Sequence, residues 1–199
     1  PLLIATPTAP TKMPPRPEAM VPPAGPLPAT DPAKLEPTLV GWAIQRAGGP
    51  LKVGLMVPAN NTTMEVELAA WLPAGSTITT VKIPRGQGLL TKETLPAYRD
   101  SAIALAREHF TGGRHDLIAY GCTAAGFISG PAGDAELQAK LKDATGLPVV
   151  TTARAMVSAL QHDGAKRIAV VTPYHDAVNQ QLAAFLADHQ VEIVASMPC

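Results

Sequence analysis

The sequence predicts an α/β fold in which a parallel sheet is covered by helices, and three observations predict it. From Leu51 onward, six short apolar runs alternate with longer amphipathic segments, and this alternation is the signature of strands joined by crossover helices. Several of the runs are almost unbroken in Val, Ile and Leu, the composition of strands buried on both faces. Between them, apolar residues recur at helical spacing. Val178, Leu182, Phe185 and Leu186 fall at i, i+4, i+7 and i+8 and form one stripe facing the sheet.

Taken in order, residues 1 to 49 form a proline-rich leader. Thirteen of the 21 prolines lie in the first 50 residues, and "PTAPTKMPPRPEAMVPPAGPLPATDP" offers too few large side chains to offset the entropy of ordering, so disorder is the expectation there. The chain opens on Pro, which suggests a processed or incomplete product, and "PLLIA" is too short and uncharged for a signal peptide. The strands expected after it are "LKVGLMV" (51–57), "STITTVKI" (76–83), "HDLIAYG" (115–121), "LPVV" (147–150), "KRIAVVT" (166–172) and "VEIVA" (191–195). Helices are expected at "MEVELAAW", at roughly 95–110 and 132–144, at "ARAMVSALQHD" and at 176–188. Thr151 and Thr152 can cap the fourth of these, and Gly164 can close it in a left-handed conformation. Residues 50 to 199 thus make up the α/β domain.

Sixteen basic and 16 acidic residues balance, with no basic run, which argues against nucleic acid and for a small-molecule partner. No stretch approaches the ~20 apolar residues of a membrane span, so a soluble cytoplasmic protein is expected. Cys122 and Cys199 make neither a metal cage nor a CxxC pair, so reduced thiols and no metal site are expected. No phosphate-binding glycine motif follows the first strand.

Ligands of a parallel α/β sheet bind beyond the carboxyl ends of its strands. The segments there are "PANNTTME", "PRGQG", "CTAAG", "TTAR" and "PYHDAVN", rich in amides, hydroxyls and small residues that suit carboxylates. Asn61 is either a helix cap or an anion donor. Cys122, just past a strand, is either a small buried residue or a nucleophile whose pKa the Thr123 and Ala124 amides and neighbouring dipoles lower. Tyr174 is either a core ring or a phenolic donor to the same cleft. His175 is the histidine nearest that cleft and a weak candidate for a general base.

Together, "VGLMVPANNTTMEVEL", "AYGCTAAGF" and "RIAVVTPYHDAVNQQLAAFL" resemble the aspartate/glutamate racemase superfamily, and within it the maleate cis-trans isomerases and arylmalonate decarboxylases. The resemblance spans residues 52 to 199. It implies a cofactor-independent enzyme of two pseudosymmetric, flavodoxin-like three-layer lobes, each supplying one catalytic position to the cleft between them. Carried over, Cys122 matches the first-lobe catalytic cysteine, Asn61 the substrate-binding Asn, and Thr123 and Tyr174 the carboxylate-binding groups, with the Ala124 amide beside them. Arylmalonate decarboxylases have Gly at the position of Cys122, which favours maleate to fumarate isomerisation. A racemase, a decarboxylase-like enzyme and an inactive carboxylate-binding fragment are the alternatives. The family's second cysteine lies well over a hundred residues after the first. Cys199 follows Cys122 by only 77 residues, so the second lobe is expected to be incomplete. A small dicarboxylate is the implied partner, and a homo-oligomer the implied state of a full-length chain.

Overall fold

The computed structural model describes residues 49 to 198, Gln87 and Leu89 excepted. The leader expected at 1–49 therefore lies, but for its last residue, outside the described residues. In chain order the elements are β1 (Lys52–Pro58), α1 (Met64–Trp71), β2 (Thr77–Ile83), α2 (Leu95–His109), β3 (Leu117–Tyr120), α3 (Thr123–Thr145), β4 (Val149–Thr151), α4 (Thr152–His162), β5 (Arg167–Thr172), α5 (Asp176–Asp188) and β6 (Glu192–Pro198).

Four strands form a parallel sheet in the order β2-β1-β3-β4. β1 is central, paired along its whole length with β2 and over four residues with β3. Both faces of β1 are covered, which explains its unbroken apolar run. Met56 packs with Ile118, Tyr120 and Val149 against Ala102, Ala106 and Phe110 at the α2 end and Leu137 and Leu141 of α3. On the other face Val53 and Leu117 pack with Leu68 and Leu72 at the α1 end. Helix, sheet and helix make three layers, as the flavodoxin-like lobe requires. Each fully buried Leu, Ile or Val contributes about 1.5–3 kcal/mol.

Two glycines permit close approach. The Phe110 ring lies where a Cβ on Gly54 would meet it at 2.9 Å, so α2 packs down on the sheet only because that side chain is absent. Gly121, at the end of β3, is pressed by Met64 Sδ and by Val57 Cγ1, which a Cβ would meet at 2.8 Å. The residue before Cys122 is thus wedged between β1 and the first residue of α1.

β5 and β6 form a separate two-stranded parallel sheet. They repeat β1 and β2: Arg167 stands 115 residues after Lys52, Glu192 stands 115 after Thr77, and these residues begin the two ladders. The loop after β5 begins with a proline, as β1 ends on one (Pro173, Pro58), and the following helix matches in place. Leu182, Phe185 and Leu186 of α5 bury themselves with Phe127 of α3 and Ala153 and Val157 of α4. Among the described residues β5 carries a neighbour on one edge only, and Val171 and Met197, paired in register, are 68% and 65% exposed. In the first sheet the corresponding strand is covered on both faces. These two strands thus repeat the opening of the first sheet at an offset of 115 residues.

Some boundaries differ from expectation. Residues 122 to 126 were expected as a loop, yet α3 begins at Thr123, and the helix expected at 132–144 is the second half of this longer one. Gly130, at φ 68° and ψ 173°, breaks the helical path just before Pro131, and that pair of helix breakers concealed the seven helical residues preceding it. β4 starts two residues later than expected and ends one later, and β6 runs on to Pro198. The caps at Thr151, which accepts from the Arg154 amide at 3.2 Å, and at Gly164, at φ 67°, are as expected. No helix among the described residues is long and apolar enough to cross a membrane.

Candidate active site

Cys122 follows Gly121 directly after β3 and stands at the N-cap of α3, 7% exposed. The wedge of Val57 and Met64 against Gly121 fixes where β3 releases the chain, and the helix start aims the Ala125 amide at the sulfur. Arg85, two residues past β2, adds favourable charge. Tyr98 of α2 points its buried hydroxyl at the same sulfur, a contact too loose to count as a formed bond but one that favours the thiolate; no other partner serves that hydroxyl among the described residues. Burial nevertheless outweighs all three and raises the Cys122 pKa above the ordinary thiol value. The expectation that dipoles would lower it is corrected: the amide is present, but desolvation dominates in a site this closed.

Burial, followed by the nearby Cys122, also raises Tyr98 well above the ordinary phenol value, and Tyr120 likewise. Tyr98 went unnoticed in the sequence because it lies mid-turn in an amphipathic helix, where an aromatic residue reads as core. Arg85 was passed over inside "PRGQG".

Asn61 serves as a cap. Its Oδ1 accepts from the Thr63 and Met64 amides at 3.2 and 3.0 Å, and its carbonyl accepts from Lys82 Nζ at the end of β2. The cap fixes the amide plane, so that the two Nδ2 protons are left for another acceptor. The two readings of Asn61 are therefore compatible.

Thr123, the first residue of α3, donates to Thr152 Oγ1 at 2.9 Å, and Thr152 donates to the Tyr120 carbonyl at 3.5 Å. The Ala124 amide lies in the open first turn of α3, where amides have no helical partner. Tyr174, on the loop between β5 and α5, stacks edge-on against Phe127 at 6.2 Å between ring centres. Its phenol is raised above the ordinary value by burial first and then by Cys122, while the nearby Thr123 hydroxyl, too loosely placed to count as a formed bond, opposes the rise. Asn179 pins this loop: it donates to the Tyr174 carbonyl at 3.0 Å and accepts from Thr172 at 2.6 Å. Thr123, Phe127, Val170, Thr172 and Tyr174 line one open groove.

The structure thus gathers Cys122, Thr123, Ala124 and Tyr174 and adds Tyr98 and Arg85. Asn61 borders the same strand ends through Met64. His175 is exposed, and it is its main-chain carbonyl that is engaged, by Val178 and Asn179. No group of three metal-ligating side chains occurs among the described residues.

A parallel α/β lobe with a cysteine, hydroxyls and free helix amides gathered at its strand ends belongs to the class of α/β domains whose strand ends are suited to an anionic ligand. Comparison with known proteins narrows the class. The profile of the arylmalonate decarboxylase family matches residues 53–198, and the chain belongs to that family. It is 28% identical over 157 residues to a maleate isomerase of Geobacillus stearothermophilus, covering 73% of this chain and 62% of that protein. It is 36% identical over 106 residues to the arylmalonate decarboxylase of Bordetella bronchiseptica, covering 53% and 44%. Among solved structures, a Cys-to-Ala variant of the maleate isomerase Iso from Pseudomonas putida S16, determined with maleate, superposes with a TM-score of 0.67 at 26% identity, covering 74% of this chain and 63% of that one. The chain spans about three-fifths of the length of the maleate isomerases it matches.

Proposed function

We propose that this chain is the first lobe, and the opening of the second, of a cofactor-independent isomerase that converts maleate to fumarate through Cys122. The observation that carries the proposal is the placing of a buried thiol at the N-cap of α3, next to Thr123, which lines an open groove with Tyr174, and beside the Tyr98 hydroxyl and the Ala125 amide. The similarity to maleate isomerases supports the choice of substrate.

The chemistry follows from those groups. Once deprotonated, the Cys122 sulfur adds to one alkene carbon, forming a C–S bond, and the displaced π electrons pass into the adjacent carboxylate as an enediolate. Donors from Tyr174, Thr123 and the Ala124 amide hold that charge where it develops. The former double bond is now single and rotates; the electrons return, the C–S bond breaks, and fumarate leaves with the thiolate restored. The substrate's own carboxylate is the electron sink.

A raised thiol pKa favours a second reading, in which Cys122 stays protonated in the empty cleft and delivers its proton to a carbanion, as a racemase or decarboxylase needs. Deuterium uptake from solvent separates the two, because addition and elimination leave the alkene hydrogens in place. A further domain proposal accompanies the reading: chain following β6 supplies the helix that covers Val171 and Met197, by analogy with α2 on the first sheet, and the remainder of the second lobe. Proton NMR of maleate incubated with such a two-lobed chain should show fumarate, and Cys122→Ala should abolish it. Turnover retained by that variant sinks the assignment of the nucleophile.

A further inference from the structure

Two threonines adjoin at the start of α4 and do different work. Thr151 is committed to structure: its hydroxyl caps the helix and donates to buried Asp134 at 2.7 Å. Thr152 touches neither partner. Its hydroxyl sits between two oxygens, Thr123 Oγ1 at 2.9 Å and the Tyr120 carbonyl at 3.5 Å.

In the empty site the proton order runs one way, from Thr123 to Thr152 and from Thr152 to the Tyr120 carbonyl. Thr123 then shows the cleft only lone pairs. A carboxylate is also only an acceptor, so Thr123 cannot bind it in that state. The remedy is a paired turn of two hydroxyl rotors: Thr152 gives up the long bond to Tyr120, donates to Thr123 instead, and Thr123 releases its own proton to the ligand. The short contact between the threonines is kept, and its reversal needs a small turn of the Thr152 side chain, because as the side chains stand only donation by Thr123 meets hydrogen-bond geometry. What is lost is the 3.5 Å bond, at the weak limit of hydrogen-bond distance, and what is gained is a charge-assisted one. Accepting from Thr152 also polarises the Thr123 hydroxyl into a better donor.

We propose that Thr152 is a positioning residue for carboxylate recognition, acting through Thr123 as a reversible hydroxyl relay anchored on the Tyr120 carbonyl. The proposal rests on the reading that the cleft binds a dicarboxylate. Its location supports the role: Gly126 of α3 lets Ala153 of α4 approach so closely that a Cβ on the glycine would clash, so the two helix starts are held in fixed register. The relay's two oxygens therefore cannot drift apart.

Calorimetric titration of the 199-residue chain with maleate tests this. Thr152→Val, which keeps the shape and removes the hydroxyl, should weaken binding about fivefold, the change that loss of one ordinary hydrogen bond brings. Thr152→Ser should restore it. In a Thr123→Val background, Thr152→Val should cost nothing further, because the group it acts through is gone. Equal losses from Thr152→Val in both backgrounds would mark a purely structural role and overturn the relay, as would undiminished binding by Thr152→Val alone. A parent chain that binds no maleate overturns the dicarboxylate reading and the relay with it.

Discussion

The carboxyl of Asp134 accepts a 2.7 Å hydrogen bond from Thr151, and through that bond the middle of α3 is tied to the end of β4. Asp134 is 4% exposed, its other oxygen has no partner among the described residues, and burial raises its pKa above the ordinary carboxyl value. The raised value means that its contribution to stability is present below pH 3.8 and is lost as pH rises through the native value. Asp134→Asn keeps an acceptor for Thr151 and removes the charge. Melting curves at pH 8 should show this variant at least as stable as the parent. Asp134→Ala, which strands the Thr151 donor, should cost about 1–3 kcal/mol.

His115 and His189 set an opposite trend at the acid side. Both are held below the ordinary imidazole value, by burial first and then by Arg114 and Arg154 respectively. A depressed pKa gives stability that is full above pH 6.5 and is lost as pH falls through the native values. Urea midpoints should therefore decline between pH 6.5 and 5. His189→Gln should flatten part of that decline, and an unchanged slope in the variant would remove His189 from the account.

For Cys122 the sign concerns reactivity. In a Cys199→Ser background, alkylation by iodoacetamide should be slow at pH 7 and still climbing above pH 9, because burial holds the thiol protonated. Arg85→Gln removes a charge that favours the thiolate and should move the profile to still higher pH. A plateau below pH 8 would contradict the raised value.

Asn61 separates into two roles by substitution. Asn61→Asp keeps the oxygen that caps α1 while losing the Nδ2 donors, so stability should hold and maleate binding should fall. Asn61→Ala should lose both, with about 1 kcal/mol off the unfolding free energy. Equal maleate affinity in Asn61→Asp and the parent would leave Asn61 as a cap alone.

Gly121→Ala places a methyl against Val57 Cγ1 and Met64. Overpacking of this kind costs about 1–3 kcal/mol, and here it also displaces the residue next to the thiol. Denaturant midpoint and alkylation rate should change together.

The legible parts of the fold were those written in periodicity. The run "VGLMV" announced a doubly covered strand, and Val178, Leu182, Phe185 and Leu186 announced the buried stripe of α5, because each signal is a repeat in one short window. The start of α3 was not legible, since Gly130 and Pro131 look like a loop unless the chain folds back on a sheet. Within the site, Cys122, Thr123 and Tyr174 stood out because they follow strands. Tyr98 and Thr152 did not, because their meaning comes from what α2 and α4 bring beside β3. The direction of the Cys122 shift was beyond reach for the same reason: the amides that favour a thiolate are local in sequence, and the side chains that exclude water from it are not.

The break at Gly130 divides α3 into two rods with separate duties. The rear rod carries Leu137 and Leu141 and is bolted into the sheet's core. The front rod is barely two turns long and bears the thiol's backing amides, Thr123 and the Phe127 ring. Gly126 seats the front rod against Ala153 of α4, so its direction is set by that contact and not by the axis of the rear rod. Reach and anchorage are thereby decoupled at a single joint.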